Sequence, residues 1–472
     1  MHRTLLSAIA IAVAWGAPLA AHAEDAELAK LREEVRQLKQ AYESRIQALE
    51  RRVQEAEAKA GKAEEAAAQS AQAAPAPAPA GAAPAGAGAF NPAVSLILNG
   101  TLGSLQKDPD SYRINGFVPT QGDVKPPPRG ASLGESELAL SASVDRLFRG
   151  ALFVSVAPEG GAAVEEGYFE TLGLGHGFSI KAGRFFSSVG YQNEVHAHAW
   201  DFTDMALANK VFLGGQLADD GLQLRWVAPT DLFVELGLEA GRGRKFPGGP
   251  DGGASRNGFG AATLFAHLGG DIGAGASWRA GASYLRASPR DRGYDDLDSA
   301  GVSVRDSFTG RSRLWALDGV FKWAPEGNPT ETSLKLQGEY FRRSEDGDLT
   351  YDTQAASLGT QAGGYRSRQS GWYLQGAYQF VPQWRAGYRY DQLNAGTTNV
   401  GLVDAGALSA ADFPILGGYN ARRHTLMFDW SPSEFSRLRL QLARDYARAG
   451  EPDNQVFLQY VMSLGAHGAH KF

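Results

Sequence analysis

Asp231-Leu-Phe-Val-Glu-Leu-Gly-Leu-Glu239 alternates apolar and polar residues over most of its length. Successive residues of a β-strand point to opposite faces, so the three leucines and Val234 form one apolar wall. Both glutamates of the stretch lie on the opposite wall. A strand with one apolar and one polar wall fits a sheet that separates two different environments.

The same alternation recurs between residues 90 and 472, and we count sixteen segments that show it. The segment at 163–174 is the weakest, because Glu165, Glu166 and Glu170 blur its two faces. The segments are 93–105, 133–145, 149–157, 163–174, 177–184, 221–227, 231–241, 262–272, 275–286, 312–324, 331–344, 370–380, 383–391, 421–430, 436–447 and 455–464.

The connections between these segments alternate between short and mostly long, such as Gly273-Ala274 against 185–220. One-sided loop length is typical of outer-membrane barrels, whose turns are short on the periplasmic side and whose loops are long outside. A soluble β-sandwich, the main alternative, requires no such asymmetry. We therefore predict an all-β transmembrane barrel of about 16 antiparallel strands, located in the bacterial outer membrane and in contact with its lipid.

The region before the barrel divides into three parts. Residues 1–23 have the basic start, apolar run and Ala-x-Ala end of a signal peptide. Residues 24–70 carry an apolar stripe, from Leu28 to Ala56, with heptad spacing and one slip. This pattern predicts an N-terminal α-helical coiled coil in the periplasm, with a lone amphipathic helix as the alternative. Residues 71–89 form a Pro/Ala-rich linker, and 90–472 form the barrel.

Composition excludes several functions. The chain has no cysteine, so neither disulfides nor thiolate metal sites are expected. Its net charge of −6 argues against a nucleic-acid partner. It contains no nucleophile elbow, zincin motif or P-loop, so we expect no enzyme activity and no cofactor.

The barrel region resembles the phosphate-selective porin O/P-like family of outer-membrane porins. The resemblance rests on Phe90–Leu98, Leu133–Leu138, Lys181–Phe185 and Ser431–Gln441, and it covers most of 90–472. It implies a sixteen-stranded porin and, by analogy, a homotrimer. It also implies that the loop after strand five folds inward and narrows the pore. Relatives that share His196–Phe202 are sometimes labelled zinc-regulated outer-membrane receptors.

The polar faces of the strands predict the charges of the pore wall. Basic and acidic residues are equally numerous there, whereas the wall of a dedicated anion pore should carry an excess of basic residues. The basic residues predicted for the wall are Lys181, Arg225, Arg279, Lys322, Lys335, Arg385, Arg389, Arg437 and Arg439. The acidic residues are Glu135, Glu137, Glu235, Glu239, Asp318, Glu339, Asp391, Asp429 and Asp445.

The long loop at 185–220 supplies the predicted constriction. Its candidate residues are Glu194, His196, His198, Asp201, Asp204 and Lys210. Such an acidic loop could set up a transverse field against the arginines of the wall, or the charges could pair into structural networks. His196 and His198 are also a possible metal site with a neighbouring carboxylate, although hydrogen-bonded loop histidines are more common. His467 and His470 could lie in the lumen or the periplasm.

The function predicted from the sequence is a porin-like channel through which small hydrophilic or ionic solutes diffuse. Two alternatives remain open. One is a divalent-metal (zinc)-linked uptake protein that uses His196 and His198. The other is an envelope tether in which the barrel is an anchor and residues 24–70 bind peptidoglycan or another partner.

Overall fold

The computed structural model describes residues 92–120, 124–156, 161–250 and 258–465. The predicted signal peptide, coiled coil and linker lie outside the described residues, as do His467 and His470. These predictions, including peptidoglycan binding by 24–70, therefore stay predictions.

The described chain forms one antiparallel sheet of eighteen strands. They are β1 (Ala93–Leu105), β2 (Gly130–Ser132), β3 (Ser136–Ser143), β4 (Phe148–Val156), β5 (Ala162–Thr171), β6 (Phe178–Phe186), β7 (Ala218–Val227), β8 (Phe233–Gly241), β9 (Ala261–Ile272), β10 (Ala276–Ala287), β11 (Arg292–Leu297), β12 (Ser303–Trp323), β13 (Ser333–Tyr351), β14 (Gln361–Val381), β15 (Trp384–Val400), β16 (Arg422–Ser433), β17 (Ser436–Asp445) and β18 (Asp453–Gly465).

Helices are few and short in the described part of the chain. There are two α-helices, α1 (Leu207–Leu213) and α2 (Gly401–Asp404). Single 3₁₀ turns occupy Pro109–Ser111, Gln192–Glu194, Ala197–Ala199, Pro325–Gly327, Ala410–Asp412 and Pro414–Leu416. Among the described residues, no helix is long and apolar enough to cross a membrane.

The sheet closes on itself. Strand β1 pairs with β18, for example Leu98 with Met462, and on its other side with β3, for example Leu96 with Leu138. Of the eighteen strands, β2 and β11 are short additions at the rim, which leaves sixteen in the barrel wall. The prediction of a closed sixteen-stranded barrel is confirmed, and closure removes the sheet edges that would otherwise be exposed.

The outer surface of the barrel is an apolar band. Along β14, inward-facing residues are buried while outward-facing Trp372 and Leu374 are exposed. Aromatic side chains cluster at the two ends of the outer band, with Tyr284 against Trp315 at one end and Trp384 against Trp430 at the other. An apolar band between aromatic girdles is the outer surface of an outer-membrane barrel.

Four neighbouring strands extend far beyond the band on the long-loop side. Strands β12, β13, β14 and β15 have 21, 19, 21 and 17 residues, whereas the sequence predicted shorter segments at 312–324, 331–344, 370–380 and 383–391. Their pairing continues beyond the apolar band, for example between Thr309 and Asp348, which are polar and exposed. Much of what the sequence assigned to long loops on this side is therefore strand.

Candidate pore constriction

The segment Ser187–Leu217, between β6 and β7, lies inside the barrel, and we call it the constriction loop. Its helix α1 packs against β13, β14 and β15, and all 7 of its residues are buried. Phe212 lies between Phe117 and Phe341, with ring-centroid distances of 5.9 and 5.8 Å. The helix ends at Gly214, whose φ of +71° is readily adopted by glycine. An apolar core thus forms within the lumen and fixes the loop.

Carboxylates of the wall hold the backbone of the constriction loop. Glu339 on β13 accepts hydrogen bonds from the amides of Tyr191 and Gln192, the latter at 3.1 Å. Asp391 on β15 accepts the amide of Leu207 at 2.8 Å, at the first turn of α1. Buried backbone amides need such partners, and the positive end of a helix favours an anion.

Asp204 is the most densely bonded acid of the loop. Its carboxylate lies 2.6 Å from Arg423, 3.0 Å from Arg389 and 3.1 Å from Lys210. Burial alone would raise the pKa of Asp204, but these charges outweigh burial and hold that pKa well below its ordinary value. Burial lowers the pKa of Lys210 despite its contact with Asp204.

The remaining predicted loop acids also touch predicted wall cations. Asp201 lies 2.9 Å from Lys335 and 3.1 Å from Arg385. Glu194 lies 2.6 Å from Arg225 and 3.8 Å from Arg279. The structure favours the alternative in which these charges pair, because the acids lie against the cationic wall and not across an open gap.

Two further arginines of the predicted wall bind the loop through its backbone. Arg437 donates to the carbonyl of His198 at 2.7 Å, and Arg439 donates to the carbonyl of Trp200 at 2.9 Å. Lys181 is buried on β6, with its ammonium 4.4 Å from the centre of the Tyr168 ring. These wall and loop residues therefore lie in the lumen, and most of them contact one another.

His196 is enclosed by glutamates of β3 and β5. Its Nδ1 lies 2.8 Å from Glu137 and 3.4 Å from Glu165, and its Nε2 lies 3.0 Å from Glu166. Burial alone would lower the pKa of His196, but its hydrogen bonds with the three glutamates outweigh burial and hold that pKa well above its ordinary value. Contacts at both ring nitrogens fit the doubly protonated imidazolium.

A β-bulge explains why two consecutive glutamates reach the same histidine. On β5, Glu166 pairs with Phe153 and Val164 pairs with Val154, which leaves Glu165 as an extra residue. A bulge interrupts the alternation of faces and can redirect a side chain. The blurred pattern of the segment at 163–174 marked this bulge, although its contact with His196 was not predicted.

His198 adjoins the same cluster. Its Nδ1 lies 3.7 Å from Glu137, and its ring stacks on His196 with a centroid distance of 5.8 Å. One oxygen or nitrogen atom from each of Glu137, Glu165 and His196 lies within 4.8 Å of the others, a spacing that could hold a metal ion. We call Glu137, Glu165, Glu166 and His196 the His–Glu cluster.

Two cavities reach the constriction loop from opposite ends of the barrel. One, of about 390 Å³, is lined by Thr120, Arg244 and Phe246 from the long-loop side and by Glu165. The other, of about 380 Å³, is lined by residues of the short turn at 431–436 and by His198. The His–Glu cluster therefore lies between the two cavities, which we call the outer and inner vestibules.

Comparison with known proteins gives one sequence relative and several structural likenesses. No known family model matches the chain. An uncharacterized protein of Aquifex aeolicus is 30% identical over 414 residues, which cover 81% of this chain and 80% of the relative. The chain belongs to the family of that protein.

Several solved structures have a similar fold at low sequence identity. The trimer form of OmpT from Vibrio cholerae has 9% identity and a TM-score of 0.48, covering 79% of this chain and 99% of OmpT. The channel DcaP of Acinetobacter baumannii has 13% identity and a TM-score of 0.46, with 79% and 97% covered. An anion-selective porin from Comamonas acidovorans has 10% identity and a TM-score of 0.46, with 79% and 100% covered.

Proposed function

We propose that this outer-membrane barrel is a passive channel for small hydrophilic solutes and that the constriction loop sets its narrowest point. The observation that carries the proposal is the pair of polar vestibules that meet the loop from the two ends of the barrel. Diffusion channels combine an apolar outer band with a polar interior.

The vestibule walls favour small anions over cations. The outer vestibule is lined by Arg184, Arg244, Lys245 and Arg292 against Glu135 and Glu165. The inner vestibule is lined by Lys322, Lys335, Arg385 and Arg437 against Asp201 and Glu434. An excess of one sign in a low-dielectric passage raises the local concentration of the opposite ion. This preference concerns the vestibules, since the strand faces as a whole carry balanced charges.

Planar-bilayer recording tests the proposal. We expect stepwise openings. In a potassium chloride gradient, the reversal potential should lie closer to the equilibrium potential of chloride than to that of potassium. The variant K322Q/K335Q should move that potential towards zero, because it removes two cations from the inner vestibule. The matched pair K107Q/K125Q lies on the outer rim and should leave it unchanged. A purified, folded barrel that never conducts would contradict the channel.

A homotrimer and phosphate selectivity are finer proposals that rest on the resemblance to the O/P-like porins. Native mass spectrometry of the detergent-solubilised protein tests the trimer, and a monomeric mass would reject it. Competition of chloride current by phosphate tests the selectivity. Equal permeation of both anions would reject it.

Divalent-metal-linked uptake is the second candidate, and the spacing within the His–Glu cluster favours it. Zinc accepts mixed nitrogen and oxygen donors, but it requires a neutral imidazole nitrogen and so competes with the imidazolium of His196. Zinc titration should show release of a proton on binding. The H196A/H198A variant should lose that binding, and unchanged affinity would reject this candidate.

A further inference from the structure

The outer surface of the barrel carries a band of arginines, a few strand residues deep, on the long-loop side of the apolar band. They project outward from β10, β12, β13, β14, β16 and β17, and we call them the arginine belt. Its members are Arg286, Arg311, Arg313, Arg342, Arg366, Arg368, Arg422 and Arg444. All of them are exposed except Arg313, which is half-buried.

The belt lies directly beyond the aromatic girdle. Arg286 follows Tyr284 by two residues on the same face, and Arg313 precedes Trp315 by two. Arg342 follows Tyr340 in the same way on β13. Two residues of a strand span roughly 7 Å, so these guanidinium groups begin where the aromatic interface ends. That is the depth of lipid headgroups in the leaflet on this side.

The belt brings like charges together. Arg286 and Arg313 are direct cross-strand partners, an arrangement that is unfavourable without an anion nearby. Asp346 lies 2.9 Å from Arg313. The cross-strand partners of Asp346 on its two sides are also arginines, Arg311 and Arg366. The carboxylate of Asp346 therefore lies among three arginines.

A second pair of belt arginines shares one aromatic ring. The guanidinium carbons of Arg422 and Arg444 lie 5.0 and 5.5 Å from the centre of the Tyr446 ring. Stacking on a ring orients the planar group while its hydrogen-bond donors remain available to an anion. Planar guanidinium groups bind phosphate through paired hydrogen bonds.

The belt lies at one end of the barrel and runs over the sector from β10 to β17. At the short-turn end, the exposed charges are mainly acidic: they include Asp145, Asp231, Glu331 and Glu434, beside Arg146. Next to β17, the outward residues of β18 and β1 are uncharged and include Leu102, Val456 and Tyr460. A general excess of basic residues would not produce this distribution.

We propose that the arginine belt binds the phosphate groups of lipids in the leaflet at the long-loop end. The occupant is a phosphorylated lipid headgroup whose acyl chains lie along the apolar band below. The proposal is independent of conduction through the lumen and requires only that the barrel spans the membrane.

Binding of a phosphorylated lipid to the detergent-solubilised full-length barrel tests the proposal. The probe is diphosphorylated lipid A, compared with the same lipid after removal of its phosphates, with native mass spectrometry as the readout. We expect the wild type to retain the phosphorylated lipid selectively. R286Q/R313Q/R368Q should bind it at least about tenfold more weakly, because the variant loses the charge-assisted hydrogen bonds of three arginines to phosphate.

Controls separate charge, geometry and folding. K107Q/K125Q/R305Q removes three cations elsewhere on the long-loop side and should bind lipid like the wild type. R286K/R313K/R368K keeps the charge but loses the paired donors, so it should bind with intermediate affinity. Heat-modifiable gel mobility verifies that each variant folds, and single-channel conductance should be the same in all of them.

Three results would overturn the proposal. One is equal binding of the phosphorylated and dephosphorylated lipids, and another is undiminished binding by the folded glutamine variant. The third is binding of free inorganic phosphate to the belt with the same affinity as the phosphorylated lipid. That result would show that the belt binds phosphate in general and not the lipid. If the glutamine variant fails to fold, the folded R286K/R313K/R368K variant decides the question. Wild-type affinity in that variant would contradict binding of phosphate through paired hydrogen bonds.

Discussion

His196 is the residue at which the constriction loop meets β3 and β5. The imidazolium lies among three carboxylates, with Lys181 near Glu166 and His198 near Glu137. A histidine whose pKa is raised on folding stabilises the folded contact below its ordinary pKa. That stabilisation is lost as pH rises through the raised pKa. The hydrogen bonds with the three glutamates therefore move the transition of His196 towards alkaline pH.

We therefore expect the conductance to be steady from pH 5 to 7 and to rise at alkaline pH, when a neutral His196 no longer offsets the repulsion between the glutamates. The variant H196Q should conduct more at all pH values and lose the alkaline transition. H424Q is a matched control, because His424 lies on the outer face, 2.7 Å from the Tyr388 hydroxyl. A transition of the same midpoint in H196Q would contradict this role.

Asp204 gives a residue-scale prediction for stability. The D204N variant leaves Arg389, Arg423 and Lys210 without their shared carboxylate in a buried environment. Breaking a buried ion pair by removing one partner costs about 3–5 kcal/mol, so the free energy of unfolding from lipid vesicles should fall by about that amount.

The control for Asp204 is an exposed ion pair. Asp295 lies 3.0 Å from Arg305, and their side chains are 65% and 38% exposed. Exposed pairs contribute up to about 1 kcal/mol, so D295N should change the free energy of unfolding by no more than that. Equal losses in the two variants would show that burial does not set the strength of the Asp204 network.

At the scale of elements, the sequence predicts the strands well where they face lipid. The segment 93–105 coincides with β1, and most other predicted segments agree with the observed strands within a few residues. Of the glutamates around His196, Glu137 was predicted as a wall residue, whereas Glu165 and Glu166 were noted only because they blur the faces of their segment. Contacts such as that between Asp204 and Arg423 join residues distant in sequence, and only the folded barrel brings them together.

The long strands were underestimated for a physical reason. Beyond the girdle, the alternation reverses, because Phe308 and Tyr365 face an apolar interior while Arg311 and Arg366 face outward. A search for an apolar outer wall stops where the wall becomes polar. The arginine belt marks this reversal, so the sequence holds a signal for the rim of the membrane that alternation alone does not interpret.

The constriction loop is the element whose removal should change transport most. Replacing residues 191–215 with a short Gly/Ser linker should raise single-channel conductance several-fold, because α1 and its apolar partners leave the lumen. The barrel should still close, since β6 and β7 pair through their own registers, for example Ile180 with Leu224. Replacing the exposed stretch 404–407 controls for loop editing. Unchanged conductance after the first replacement would place the narrowest point elsewhere.

At the scale of the whole molecule, every described strand pairing uses residues from Ala93 onward. Folding of the barrel therefore should not require residues 24–89, whatever the predicted coiled coil binds. A chain that keeps residues 1–23, the predicted signal peptide, but lacks 24–89 should insert and show wild-type unit conductance. A chain carrying L31K/L38K/L49K, which disrupts the predicted apolar stripe without shortening the chain, should behave in the same way.

Cross-linking then compares the number of subunits in the assembled protein. If the predicted coiled coil stabilises the proposed trimer, both variants should keep the wild-type unit conductance but form a smaller fraction of trimers. Loss of unit conductance in the truncated chain would instead show that the barrel depends on the residues before it.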